Sequence, residues 1–184
     1  MQQSIKLIGR ENEIEKIDRM LHSGQAEFLA VYGRRRVGKT FLIRQYLRNN
    51  IVFDFTGTKD GIKEQQLNNF FAEYLKRKNG KKEKQPPSTW QQAFSYLLAC
   101  LKSLPKTKSK HVIFIDEMPW IDTPKSDFIP ALEFFWNQHI SNMPNILLIA
   151  CGSASSWIKK KLINARGGLY NRVTQRINLM PFNL

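Results

Sequence analysis

The sequence predicts an α/β fold built on a mainly parallel sheet, and three observations carry that prediction. Apolar, strand-like segments alternate with segments of helical periodicity along the whole chain. Residues 111–115 and 145–151 are apolar without alternation, the pattern of strands buried on both faces. A glycine-rich loop, 33–40, joins the first apolar strand to a helix.

Each element follows from its local pattern. Residues 11–22 read as the first helix, because Ile14, Ile17 and Leu21 share a face and Gly24 follows as a stop. Residues 28–32 form a short apolar strand, and the helix after the loop spaces Phe41, Leu42 and Tyr46 for burial. Residues 51–55 read as the second strand, and Leu67, Phe70, Phe71, Tyr74 and Leu75 make a helical stripe. Segment 79–87 is polar and basic, ends in Pro86-Pro87 and reads as a loop. Ser88-Thr89-Trp90-Gln91 has the form of a capping box. It opens a helix that turns Trp90, Ala93, Phe94, Leu97, Leu98 and Leu101 inward. Residues 111–115 are the third strand. Residues 126–140 are helical, with Pro130 tolerated only near the first turn. Residues 145–151 are the fourth strand, 154–164 a short basic helix stopped by Gly167-Gly168, and 175–182 the fifth strand.

Composition narrows the class. A chain of 184 residues fits one domain and buries a core without disulfides. No apolar run approaches the roughly 18 residues of a membrane helix. The start, Met1 to Lys6, lacks the apolar stretch of a secretory signal. The expectation is a cytoplasmic protein with no membrane partner. Cys100 and Cys151 lie in apolar surroundings, as buried reduced thiols do. Neither they nor His22, His111 and His139 show metal-ligand spacing. Twenty-nine Lys and Arg against fifteen Asp and Glu leave a charge of +14. Such a surplus attracts polyanions, nucleic acid above all. Much of it sits in the Lys-rich stretches 76–84 and 102–110, which read equally well as solvated loops.

The chemistry concentrates in two places. Gly33-Arg34-Arg35-Arg36-Val37-Gly38-Lys39-Thr40 fits the phosphate-binding pattern G-x-x-x-x-G-K-[ST]. Its glycines let several amide N–H groups converge on phosphate oxygens, and the helix opening at Gly38 adds its positive end. Lys39 supplies a point charge for the β- and γ-phosphates, and Thr40 a hydroxyl for Mg2+. These roles imply ATP and Mg2+ as ligands. Arg34, Arg35 and Arg36 occupy variable loop positions, suited to a partner, to nucleic acid or to positive potential alone. Val112-Ile113-Phe114-Ile115 then runs into Asp116-Glu117 at the carboxyl end of a buried strand, where ligands bind in open α/β sheets. Asp116 is the candidate metal holder and Glu117 the candidate base for an attacking water. The second acid favours hydrolysis over binding alone.

Ser153 follows the fourth strand in Cys151-Gly152-Ser153 and is either a γ-phosphate sensor or a helix cap. Arg166 and Arg172 flank Gly167-Gly168. Either arginine, Arg172 before Arg166, could reach a neighbouring subunit's nucleotide in a homo-oligomer, or simply lie on the surface.

These segments, with Ile8-Gly9-Arg10-Glu11, Met118-Pro119-Trp120, Asn171-Arg172-Val173 and Leu179-Met180-Pro181-Phe182, occur in an order that resembles the AAA+/STAND-like archaeal and bacterial ATPase family, particularly its Bacteroidetes-type members. The resemblance implies a three-layer αβα P-loop NTPase sandwich with sheet order 5-1-4-3-2. It puts Ser153 in the sensor position and Ile8, Gly9 and Arg10 on the adenine side. It gives Arg172 the arginine-finger position and groups Phe41 with the nucleotide-binding residues of the loop. Family members usually continue into a helical lid and a further domain, so residues 1–184 are expected to be the ATP-binding core without them. The implied function is ATP binding and Mg-dependent ATP hydrolysis, with coupling to DNA as a further expectation. A non-hydrolysing nucleotide switch is the alternative, and a small-molecule kinase a third reading.

Overall fold

The computed structural model describes residues 9–77, 85–105, 107–164, 169 and 171–182. Helix α1 (Glu11–Leu21) leads into β1 (Glu27–Tyr32), α2 (Lys39–Tyr46), β2 (Ile51–Thr56), α3 (Lys63–Arg77) and α4 (Trp90–Lys102). Then come β3 (His111–Asp116), α5 (Met118–Ile121), α6 (Phe128–Gln138), β4 (Ile146–Gly152), α7 (Ser155–Ile158) and β5 (Gln175–Asn178). The strands form one sheet in the order β2-β3-β4-β1-β5, parallel at every pairing. Read from the other edge, this is the expected order 5-1-4-3-2.

The three middle strands, β1, β3 and β4, are buried at every position, because helices cover both faces. Successive side chains point to opposite faces. Phe28 and Ala30 of β1 join a cluster with α3, α4 and α6, while Leu29 and Val31 join another with α1 and α2. The result is three layers. The larger cluster is an aromatic network in which Phe94 stacks on Phe135 at 4.8 Å and Trp90 meets Phe128 edge-on at 5.0 Å. Such contacts add to area burial by about 0.5–1.5 kcal/mol each.

Several expectations need correction. Strand β5 ends at Asn178, not at 182. Leu179 still donates its N–H to Tyr32, but Pro181 has no N–H to continue a ladder, and Met180 and Phe182 are exposed. Helix α6 starts at Phe128 because Asp127 is left-handed, with φ 57°. That leaves Pro130 in the first turn, where its missing donor costs nothing. The capping box sits one residue later than expected. Thr89 is the N-cap and accepts from the N–H of Gln92 at 3.1 Å, while Gln92 Oε1 accepts from the N–H of Ser88 at 2.9 Å. The basic helix 154–164 is α7 followed by one π-helical turn, Lys159–Ile163. Phe41 is exposed rather than buried, because α2 turns Leu42 and Ile43 toward the sheet. Cys151 is buried, but Cys100 is only half-buried. Among the described residues, no helix is long and apolar enough to cross a membrane. Ile8, Arg166, Gly167-Gly168 and most of the 79–87 loop lie outside the described residues.

Candidate functional site

The carboxyl ends of β1, β3 and β4 deliver three short segments to one edge of the sheet: the loop 33–40, Asp116-Glu117 and Gly152-Ser153. The loop's path is set by backbone conformations that side chains resist. Gly33 has φ 147°, and a Cβ there would stand 2.2 Å from the carbonyl oxygen of Leu179. Gly38, the N-cap of α2, is left-handed at φ 89°, and Arg36 is left-handed at φ 65°. No side chain caps α2, so its first amides are offered to a ligand or to water.

Lys39 is 5% exposed. Its Nζ donates to the carbonyls of Gly33 at 3.0 Å and Arg34 at 2.8 Å. The ammonium thus braces the loop from inside, and holds the curve that phosphate binding needs. Arg34, Arg35 and Arg36 are exposed.

Thr40 and Asp116 meet across the sheet edge. Thr40 Oγ1 donates to Asp116 Oδ2 at 2.7 Å, and Asp116 Oδ1 accepts the N–H of Glu117 at 2.9 Å. Glu117 is left-handed, with φ 44°, a conformation that costs a non-glycine residue about 1–2 kcal/mol. Its Oε2 accepts from the N–H of Ser153 at 3.2 Å and from Ser153 Oγ at 3.0 Å. Strand β4 lies between β1 and β3, which is why Ser153 stands between the loop and the acids. A hydroxyl and a carboxylate are hard oxygen donors. Mg2+ commonly takes one or two carboxylates and completes its shell with water and phosphate oxygens. The pair fits Mg2+ on that chemistry. Among the described residues there is no cluster of three or more His, Cys, Asp or Glu that would suggest another metal site.

Three sets of contacts at the site could not be read from the pattern of residues. Cys151 lies under the site on β4. Burial pushes its thiol well above the ordinary range, and the neighbouring Asp116 carboxylate, with which it hydrogen-bonds, pushes further the same way. It is a neutral thiol supporting an acid. Arg44 of α2 forks onto Asp54 at 2.8 and 3.0 Å and onto Thr56 Oγ1 at 2.9 Å. Its hydrogen bond with Asp54 raises its pKa. Thr56 pairs with Asp116 in the sheet register, so this fork stiffens the strand next to the acids. Arg10 is buried and donates to the carbonyls of Val37 at 3.2 Å and Met180 at 2.9 Å. Its guanidinium lies 4.1 Å from the centre of the Phe182 ring. A Cβ on Gly9 would come within 3.0 Å of that ring. The Gly-Arg-Glu start and the Pro-Phe end therefore touch each other beside the loop.

Arg172 is not brought to the site. It is exposed and precedes β5, whose Gln175 pairs with Leu29 at the start of β1. Because β5 and β1 are parallel, Arg172 lies at the opposite edge of the sheet from the loop.

Known proteins share the family and the fold. A family model described as an ATPase domain predominantly from Archaea matches residues 7–184. An uncharacterized protein of Methanocaldococcus jannaschii is 26% identical over 175 residues, which is 95% of this chain and 36% of that protein. An uncharacterized ATP-binding protein of the same organism is 40% identical over 45 residues, 24% of this chain and 76% of that one. The fold resembles that of the Walker-type ATPase of Pyrococcus abyssi, with TM-score 0.67 and 19% identity over 95% of this chain and 54% of that one. The chain thus spans about a third of the first relative and about half of the solved structure.

Proposed function

The chain belongs to the family of ATPase domains found predominantly in Archaea, and from that premise we propose that it binds ATP with Mg2+ and hydrolyses it to ADP and phosphate. The observation that carries the reading is the 2.7 Å contact between Thr40 and Asp116 beside the loop braced by Lys39.

The loop from Gly33 through Thr40 holds the phosphates, with Phe41 next to it and the Ile8-Gly9-Arg10 segment on the adenine side. Thr40 and Asp116 hold Mg2+, which when bound neutralises phosphate charge. Glu117 takes the proton of the water that attacks the γ-phosphorus. A P–O bond to that water forms as the bond to the ADP oxygen breaks, and ADP leaves with the electron pair. Ser153 orients the Glu117 carboxylate.

A second reading, a nucleotide switch that binds without hydrolysing, draws on the engagement of Glu117 Oε2 by both donors of Ser153. One experiment separates the two: phosphate release by the chain with and without Mg2+, beside Lys39→Ala and Glu117→Gln. Hydrolysis predicts Mg-dependent release that Lys39→Ala abolishes by loss of ATP binding and Glu117→Gln abolishes after binding. ATP bound normally by Lys39→Ala would overturn both readings. Tight ATP binding without release by the unmodified chain would select the switch.

The finer assignments belong to the same proposal. We read the chain as an AAA+/STAND-like core of a larger cytoplasmic ATPase, with lid and further domain outside residues 1–184. Arg172 acts on the nucleotide of a neighbouring copy, a role for which its distance from its own loop is no obstacle. The charge of +14 supports coupling to nucleic acid, measurable as binding that weakens steeply with salt.

A further inference from the structure

Arg35 sits at a variable position of the phosphate loop, and its side chain turns away from the loop toward Ser153. Its Nε–H points at Ser153 Oγ at 3.5 Å, the outer edge of hydrogen-bond range. Its guanidinium lies 5.6 Å from the centre of the Trp120 ring, inside the reach of a cation–π contact. Trp120 is in turn anchored, since its carbonyl accepts from Gln66 Nε2 at 3.0 Å. Ser153 donates from both Oγ and N to Glu117 Oε2.

A serine hydroxyl has one proton to donate and two lone pairs that accept. When Arg35 donates into Ser153 Oγ, one lone pair is occupied, and the proton is left to point at Glu117. Without Arg35 the hydroxyl rotor is free to turn. We infer that Arg35 is a positioning residue for Glu117: it fixes the direction of the Ser153 hydroxyl and so links the phosphate loop to the proton-accepting carboxylate. The inference rests on the reading of Glu117 as the base. It distinguishes Arg35 from its exposed neighbours Arg34 and Arg36, for which no such contact to Ser153 is seen among the described residues. The link runs from loop to base within one subunit, so a change in loop shape on nucleotide binding is passed to Glu117 through two hydrogen bonds. A lysine at position 35 keeps the charge but not the Nε–H of a planar fork, which separates this role from a contribution of positive potential.

The test uses the full chain with Arg35→Met, Arg35→Lys, Ser153→Ala and the Arg35→Met/Ser153→Ala double variant. Two readouts are taken: kcat against the ATP dissociation constant, and the backbone amide resonance of Ser153 in nucleotide-free protein, with Glu117→Gln as reference. The expected result is a loss of about tenfold in kcat for both Arg35 variants, with ATP affinity held within about threefold. The double variant turns over no more slowly than Ser153→Ala alone, because both changes cut the same link. The Ser153 resonance moves in Arg35→Met. The inference is overturned if Arg35→Lys restores kcat, if the losses multiply in the double variant, or if affinity falls while kcat holds. If the unmodified chain binds ATP but never releases phosphate, the hydrolytic reading fails. The link is then decided by the amide alone: an unmoved Ser153 resonance in Arg35→Met overturns it, and a shifted one supports it.

Discussion

Thr40 and Asp116 are 76 residues apart in the chain, yet the hydroxyl of one donates to the carboxylate of the other at 2.7 Å. They come from β1's loop and from β3, strands that do not touch, because β4 runs between them. The bond therefore closes over the end of β4, where Cys151 offers its thiol to the same carboxylate. Asp116 is buried and takes donors from three directions, counting the Glu117 amide. A buried carboxylate with that many donors is held in one orientation and aimed at the mouth of the loop.

Asp116→Asn should separate nucleotide binding from metal binding. The amide keeps an oxygen that accepts from Thr40 but loses the charge that attracts a divalent ion. ATP affinity measured in EDTA should stay within about threefold, while the gain in affinity from added Mg2+ disappears and turnover falls at least 100-fold or so. Calorimetric titration with and without Mg2+ checks it. A variant that retains the full Mg2+ effect would remove Asp116 from the metal site.

Glu117→Gln should bind ATP as the unmodified chain does and lose roughly 10²–10³ in kcat. Glutamine retains a carbonyl oxygen where Ser153 donates, so the local fold should survive, and the melting temperature should be little changed. Single-turnover measurements with labelled ATP decide the matter. Unchanged turnover would rule out Glu117 as the base.

Gly33→Ala should be among the most damaging single changes outside the chemistry. The new Cβ would stand 2.2 Å from the Leu179 carbonyl oxygen, and φ is 147°, so neither backbone can accommodate it without moving. A loss of about 2–4 kcal/mol is expected, with ATP binding lost as the loop shifts. Gly24→Ala is the control, because a Cβ there meets nothing within 4 Å. That change should leave stability within about 0.5 kcal/mol. Equal melting temperatures for the two variants would contradict the packing described.

The sequence made the sheet, its parallel sense and the loop readable because those depend on local patterns. The uninterrupted apolar runs of β3 and β4 need burial on both faces, and the glycine spacing of 33–40 has few structural uses. What stayed hidden depends on which strands become neighbours. Cys151 supports Asp116 only because β4 lies beside β3, and nothing in Leu-Ile-Ala-Cys announces it. The role of Arg10 needs the two ends of the described chain, Arg10 and Phe182, to meet. Phe41 misled because its spacing fits a buried stripe, while α2 is only eight residues long and already fills its inner face with Leu42 and Ile43.

Cys151 gives the last prediction, a pH dependence with a definite sign. Burial and the Asp116 carboxylate hold its folded pKa well above the usual thiol range. In the unfolded chain the thiol ionises near about 8.5. Below that pH both states carry the proton, and the contribution to stability is complete. Above it the unfolded chain sheds a proton that the folded chain retains, so stability falls by up to about 1.4 kcal/mol per pH unit until the folded thiol ionises as well. Tyr46, raised to about 12 by burial and by its hydrogen bond to Asp18, adds a later loss in the same sense above pH 10 or so. Lys110, lowered by burial, acts oppositely, because the folded form sheds its proton first. Comparison with Cys151→Ser removes both of those contributions. The serine hydroxyl donates to Asp116 from the same place but does not titrate in this range. Urea unfolding of the two proteins between pH 7.5 and 9.5 or so should show the stability of the unmodified chain falling relative to the serine variant as pH rises. Parallel curves would mean that the Cys151 thiol ionises as readily in the fold as outside it.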